Sequence, residues 1–104
     1  AMLRHVLLLQ ARSETTAEDI VECREALAGL VAVIPGLLDF HWGENLAPVD
    51  RRDGYTHGVS MDFADAGSLA GYGPHPAHQR AAQLVRKHFA RITVFDWKLG
   101  PSER

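Results

Sequence analysis

Three of the chain's six histidines, together with one tyrosine, stand where an imidazole or a phenol could act on a ligand. His78 follows Pro76 into a helix-forming stretch. It precedes Ala81 and Val85 by three and seven residues, which puts it on that helix's buried stripe and in its first turn. The positive end of a helix dipole disfavours imidazolium, as does partial burial, so this ring suits a general base. Tyr72, just ahead of the Gly73-Pro74 break, brings a phenol to the same end. His5 shares a strand face with Leu7 and Leu9, and His57 shares one with Val59 and Met61. Both rings are predicted to point under the helices as substrate-binding residues, with Leu7, Leu9 and Val59 as apolar wall. Core histidines that each make one hydrogen bond would leave the same pattern.

Other chemistries lack their residues. No dinucleotide fingerprint, P-loop or nucleophile elbow occurs, and no cofactor is predicted. His75 and His78 have no Cys or carboxylate at ligand spacing, so no metal site is predicted either. Cys23 is the only cysteine, which excludes an internal disulfide, and it reads as a small buried apolar residue.

The elements that must hold these residues follow from periodicity. Residues 3–10 alternate as a strand with aliphatics on both faces. Thr16 and Asp19 form a capping-box pattern ahead of Ile20, Cys23, Leu27, Leu30, Val31 and Ile34, a single helical stripe ended by Pro35-Gly36. Leu37–Glu44 is a second strand with Leu38, Phe40 and Trp42 on one face. A polar loop over 45–54 leads to a third strand over 55–63, with Tyr55, His57, Val59, Met61 and Phe63 on one face. A short helix over 64–72 is anchored by Leu69. A second helix starts at Pro76 and carries Ala81, Leu84, Val85, His88 and Ile92 inward. The last strand is predicted over 92–99, with Thr93, Phe95, Trp97 and Leu99 on one face.

Strand, helix, strand, strand, helix, strand is the split βαβ order of a ferredoxin-like α+β domain with an antiparallel sheet. The first and third strands are then central neighbours, which predicts His5 and His57 close together. Both helices cover one sheet face. The other carries Val6, Leu8, Phe95 and Trp97 with nothing left to cover them. Such a patch marks an interface, and a two-fold homodimer, sheet against sheet, closes it.

At 104 residues, 46% hydrophobic and 23% charged, the whole of 1–104 reads as one globular domain. Ala1 ahead of Met2 reads as an addition before the native start. The net charge of −2, without a Lys/Arg run, argues against nucleic acid as a partner. The longest apolar stretch is broken by Gly29, Pro35 and Gly36, which argues against a membrane span. A cytoplasmic location is the default expectation.

Four segments together resemble the stress-responsive A/B barrel (Dabb) family of dimeric α+β barrels. They are Arg4-His5-Val6-Leu7-Leu8-Leu9, Ile34-Pro35-Gly36, Gly54-Tyr55-Thr56-His57 and His75-Pro76-Ala77-His78. The family includes a plant polyketide cyclase that closes a linear polyketide by intramolecular aldol condensation without a cofactor. The resemblance implies His78 as catalytic base, Tyr72 as catalytic oxyanion-stabilising donor, and His5 and His57 as pocket histidines. It also implies that Cys23, Arg24, Leu27, Ala82, Lys87 and His88 stand at pocket-shaping positions, where the cyclase carries other side chains. Two readings remain. One is a dimeric, stress-associated or small-ligand-binding protein of unassigned activity. The other is a cofactor-independent cyclase- or isomerase-like enzyme that removes a proton beside a carbonyl. Similar dimeric barrels also host cofactor-free oxygenases.

Overall fold

A computed structural model describes residues 1–101 of the chain. Alternation in the first segment yields strand β1, Leu3–Ala11, in which His5, Leu7 and Leu9 are buried and Leu8 is exposed. Helix α1, Ala17–Ala28, begins with the predicted capping box. The Asp19 N–H donates to Thr16 Oγ1 at 3.1 Å and the Thr16 N–H donates to Asp19 Oδ2 at 3.0 Å. These bonds satisfy two donors that a helix start would otherwise leave unpaired. The remaining elements are β2, Leu37–Glu44; β3, His57–Phe63; α2, Ala66–Tyr72; α3, Pro76–His88; and β4, Phe89–Lys98. The four strands form one antiparallel sheet in the order β2-β3-β1-β4. The fold is ferredoxin-like α+β.

The core lies between one sheet face and the helices. Leu9, Val59, Met61 and Phe63 from the sheet meet Cys23, Leu27, Ala81 and Val85 from α1 and α3. Among the described residues no helix covers the opposite face. Leu8, Phe95 and Trp97 are exposed there, Phe95 at 64%. That face also holds a two-pronged ion pair. Arg4 Nε and Nη2 donate to Asp62 Oδ1 and Oδ2 at 2.9 and 3.1 Å, and the guanidinium lies 5.9 Å from the Trp97 ring centre.

Several boundaries and faces differ from the sequence reading. The first helical stripe is not one helix. Gly29, a poor helix former, begins a 3-10 turn over Gly29–Ala32 that carries Leu30 into the core. In β2 the pairing shifts between Leu37 and Asp39, so Leu37 opposite Phe63 joins Phe40 and Trp42 on the buried face, while Leu38 stays 47% exposed. Tyr55 precedes β3, and its hydroxyl bonds Thr93 Oγ1 and Arg91. It therefore does not share the His57 face.

Strand β4 starts three residues before the predicted Ile92, because α3 stops early. The His88 carbonyl accepts from the Arg12 N–H at 3.0 Å and from Thr15 Oγ1 at 2.7 Å, and the Arg12 side chain donates to the carbonyls of Arg86 and Lys87. Those acceptors are taken by the loop after β1, and Phe89 turns extended. Ile92 is thus a strand residue, and Leu99 lies beyond the strand end, buried by this chain and not presented on the open face. Gly36 holds a φ of +80°, and a Cβ there would sit 2.0 Å from Ser68 Oγ, so the α1-to-β2 turn packs directly on α2.

Candidate active site

Between the covered sheet face and the helices lies a cavity of about 310 Å³. His5 and Leu7 of β1, and Ile92 and Val94 of β4, make its floor. Leu27 of α1, Leu69 and Tyr72 of α2, and His78, Ala82, Val85 and Arg86 of α3 make its walls. The α3 residues recur at steps of four, three and one, one face of a helix.

The turn between α2 and α3 sets the polar end. Tyr72 is the last residue of α2 and is 4% exposed. His75 caps α3, its Nδ1 accepting from the Ala77 N–H at 3.1 Å, and Pro76 fills the first helical position, where no N–H is needed. This arrangement brings His78 back over Tyr72, with ring centres 4.1 Å apart. His78 Nδ1 lies 2.9 Å from the Gly73 carbonyl. A carbonyl only accepts, so Nδ1 carries the proton of that bond and Nε2 is the nitrogen with the free lone pair.

The Tyr72 hydroxyl has no hydrogen-bond partner among the described residues, yet no buried polar side-chain atom is left unsatisfied. The oxygen is therefore open to the cavity while its ring is packed against Phe63, 5.1 Å between centres, and His5, 5.8 Å. Burial pushes the phenol up to about 12, so it stays a donor through the neutral range. On its far side His5 Nδ1 lies 2.5 Å from Asp96 Oδ1, the residue paired with it across β1 and β4. The carboxylate accepts from Nδ1 and fixes the ring, the orienting role an acid plays behind a catalytic imidazole.

The structure thus brings together His78, Tyr72, His5, Leu7 and Leu27. It separates them from His57, Leu9 and Val59, which do not line the cavity. Antiparallel register is the reason. His5 pairs with Met61, and His57 pairs with Leu9, four residues along β1, so the two histidines stand at opposite ends of the central strands and are not neighbours. His57 packs between Trp42 and Phe89, 5.4 and 5.8 Å between ring centres, and burial lowers its pKa although Glu44 opposes this. Leu9 and Val59 are buried in the core. Of the other histidines, His41 lies 3.1 Å from Asp39 on its own strand, and His88 lies 3.6 Å from Asp19 of α1. Cys23 is fully buried and its thiol is pushed up to about 11 by burial. Among the described residues no three His, Cys, Asp or Glu side chains gather as a metal-ligand set.

Asp96 and Arg86 were missed from sequence. The available signal for Asp96 was an acid at alternate spacing with Ile92 and Val94, set between two aromatics, on the strand that returns beside His5.

The fold has known counterparts. Residues 3–99 match the family described as Stress responsive A/B Barrel Domain. The chain belongs to this Dabb family. Olivetolic acid cyclase of Cannabis sativa is 27% identical over 95 residues, covering 91% of this chain and 94% of that protein. The stress-response A/B barrel domain-containing protein HS1 of Arabidopsis thaliana is 31% identical, covering 92% of this chain and 88% of that protein. A dimeric ferredoxin-like protein of unknown function from Jannaschia sp. CCS1 superposes with a TM-score of 0.83 at 30% identity, covering 95% of this chain and all of that one. Several ferredoxin-like relatives of this kind are of unknown function. No helix of the described residues is long and apolar enough to cross a membrane.

Proposed function

We propose that this Dabb protein is a cofactor-independent enzyme that removes a proton beside a carbonyl and uses the resulting enolate to close a carbon–carbon bond within a small, largely apolar oxygenated substrate. One observation carries the reading. A histidine held in one tautomer by Gly73 and a buried phenol whose hydroxyl has no partner among the described residues face the same cavity, with ring centres 4.1 Å apart.

His78 Nε2 takes the proton from the carbon next to the carbonyl. The C–H electron pair moves into the new carbon–carbon double bond as the carbonyl oxygen becomes an enolate. The Tyr72 hydroxyl donates to that oxygen as charge develops, within a largely apolar lining. The enolate carbon attacks a second carbonyl of the same molecule, and the proton held on His78 goes to the new alkoxide. His5, fixed by Asp96, makes an edge-to-face contact with the Tyr72 ring and holds it in place. The likeness to olivetolic acid cyclase supports this reaction class.

The working unit in this reading is a homodimer formed through the open sheet face at Val6, Leu8, Phe95 and Trp97. The exposed aromatics there and the dimeric Jannaschia relative support it.

Deuterium exchange at the α-carbon of a medium-chain methyl ketone in D₂O, followed by NMR, tests the chemistry without knowledge of the natural substrate. Wild type accelerates exchange. His78→Ala lowers the rate by about 10²–10⁴-fold, and Tyr72→Phe lowers it by about 10²–10³-fold. Exchange by wild type no faster than by His78→Ala, with ligand bound in both, would make the cavity a binding site without catalysis.

A further inference from the structure

One charged side chain in the cavity wall has no part in the reaction above. Arg86 lines the cavity, and its guanidinium has no hydrogen-bond or ion-pair partner among the described residues. A cation in the last turn of a helix ordinarily serves the negative end of the dipole. Here that task is already taken. The Arg12 guanidinium donates to the carbonyls of Arg86 and Lys87 at 3.2 and 3.1 Å, and Thr15 holds that of His88. Arg86 is therefore a spare cation at the rim of a largely apolar cavity.

Its position relative to the base is set by the helix. His78 and Arg86 are eight residues apart on one face of α3, which separates their Cα atoms by about 12 Å at 1.5 Å per residue. The sheet repeats this polarity. Asp96 pairs with His5 at the base end, and the strand then runs back through Val94 to Ile92, close to where α3 turns into β4 at Phe89. One end of the cavity thus holds His78, Tyr72 and the Asp96–His5 pair, the other holds Arg86, and aliphatic side chains lie between. An anionic group meets a carboxylate at the first end and an unpaired guanidinium at the second.

We infer that the substrate is bifunctional, with its reacting carbonyl beside His78 and an anionic oxygen group, carboxylate or phosphate, held by Arg86 about 12 Å away across an apolar spacer. This rests on the proton-abstraction reading and adds the substrate class and its orientation.

Titration calorimetry on the full chain with 10-oxoundecanoate, 10-oxoundecyl phosphate and neutral 2-undecanone tests it. Wild type is expected to bind at least one anion about tenfold more tightly than the neutral ketone, the low end for a charge-assisted pair at an exposed rim. The anion preferred distinguishes a carboxylic acid from a phosphate ester. Arg86→Gln should abolish the preference and Arg86→Lys should keep part of it. The short acid 5-oxohexanoate cannot span the two ends and should gain nothing from its charge. Absence of any anion preference in wild type, or its survival in Arg86→Gln, overturns the inference. Arg86→Gln is exposed and removes no partner, so an unchanged melting temperature is expected to accompany its loss of preference. Deuterium exchange into the neutral ketone separates the two ideas. Exchange without a charge preference overturns the anion inference alone, and a charge preference without exchange overturns the enzymatic reading alone.

Discussion

Replacing Tyr72 by Phe removes one oxygen and should change how stability depends on pH. In the folded chain the phenol is 4% exposed and burial holds its pKa at about 12, against an ordinary value of 10.0. The unfolded chain therefore releases this proton at lower pH than the folded one. Below pH 10 both states hold it and the contribution to stability is intact. Between pH 10 and 12 only the unfolded state ionises, which lowers the free energy of unfolding. Two pKa units correspond to about 2.7 kcal/mol at full effect, and at pH 11 about half of that, roughly 1.4 kcal/mol, is lost. Tyr72→Phe has no phenol at this position and escapes the loss. The hydroxyl has no partner among the described residues, so the substitution should change stability at pH 7 by less than about 0.5 kcal/mol. Urea unfolding of both chains at pH 7, 10 and 11 measures the difference. Other groups titrate in both proteins and cancel. An equal loss in wild type and Tyr72→Phe would refute the reasoning, because it would mean that the phenol ionises as easily in the fold as outside it. It could not then be the fixed donor that a developing enolate needs.

Two further outcomes test neighbouring parts. Trp97→Asp places a carboxylate in the open face and should give a monomer in sedimentation velocity at concentrations where wild type is dimeric; a dimer of unchanged affinity would rule out pairing through that face. Asp96→Ala removes the acceptor for His5 and should cost about 1 kcal/mol, below the usual range for charge-assisted bonds because the carboxylate is partly exposed; unchanged urea midpoints would show that the pair contributes nothing.

Much of the architecture was legible because its signals are local. Thr16 and Asp19 announce α1 through bonds three residues apart, and Pro76 announces α3 because its ring suits a first turn. Alternation in β1 separates His5, Leu7 and Leu9 from Val6 and Leu8 without reference to any partner. What was misplaced depends on contacts distant in sequence. The end of α3 moved because Arg12 and Thr15 take its last carbonyls across more than seventy residues. Leu37 replaced Leu38 on the buried face because a bulge is a property of two strands together.

The site divides in the same way. His78 and Tyr72 could be paired from sequence because only a turn separates them, and Gly73 and His78 close the bond that selects the tautomer within that short segment. His57, Leu9 and Val59 were assigned to the site because alternation states which face a residue occupies but not how far along the sheet it stands. That coordinate is register, set by strand pairing, and it sends His57 to Trp42 and Phe89 while it brings Asp96 to His5. The elements, their order and the side of the sheet that could hold a pocket were readable along the chain, since these follow from periodicity and short-range bonds. Folding alone settles which residues on that side meet around one cavity, and that Arg86 has no partner there among the described residues, because both depend on pairings between segments distant in the chain.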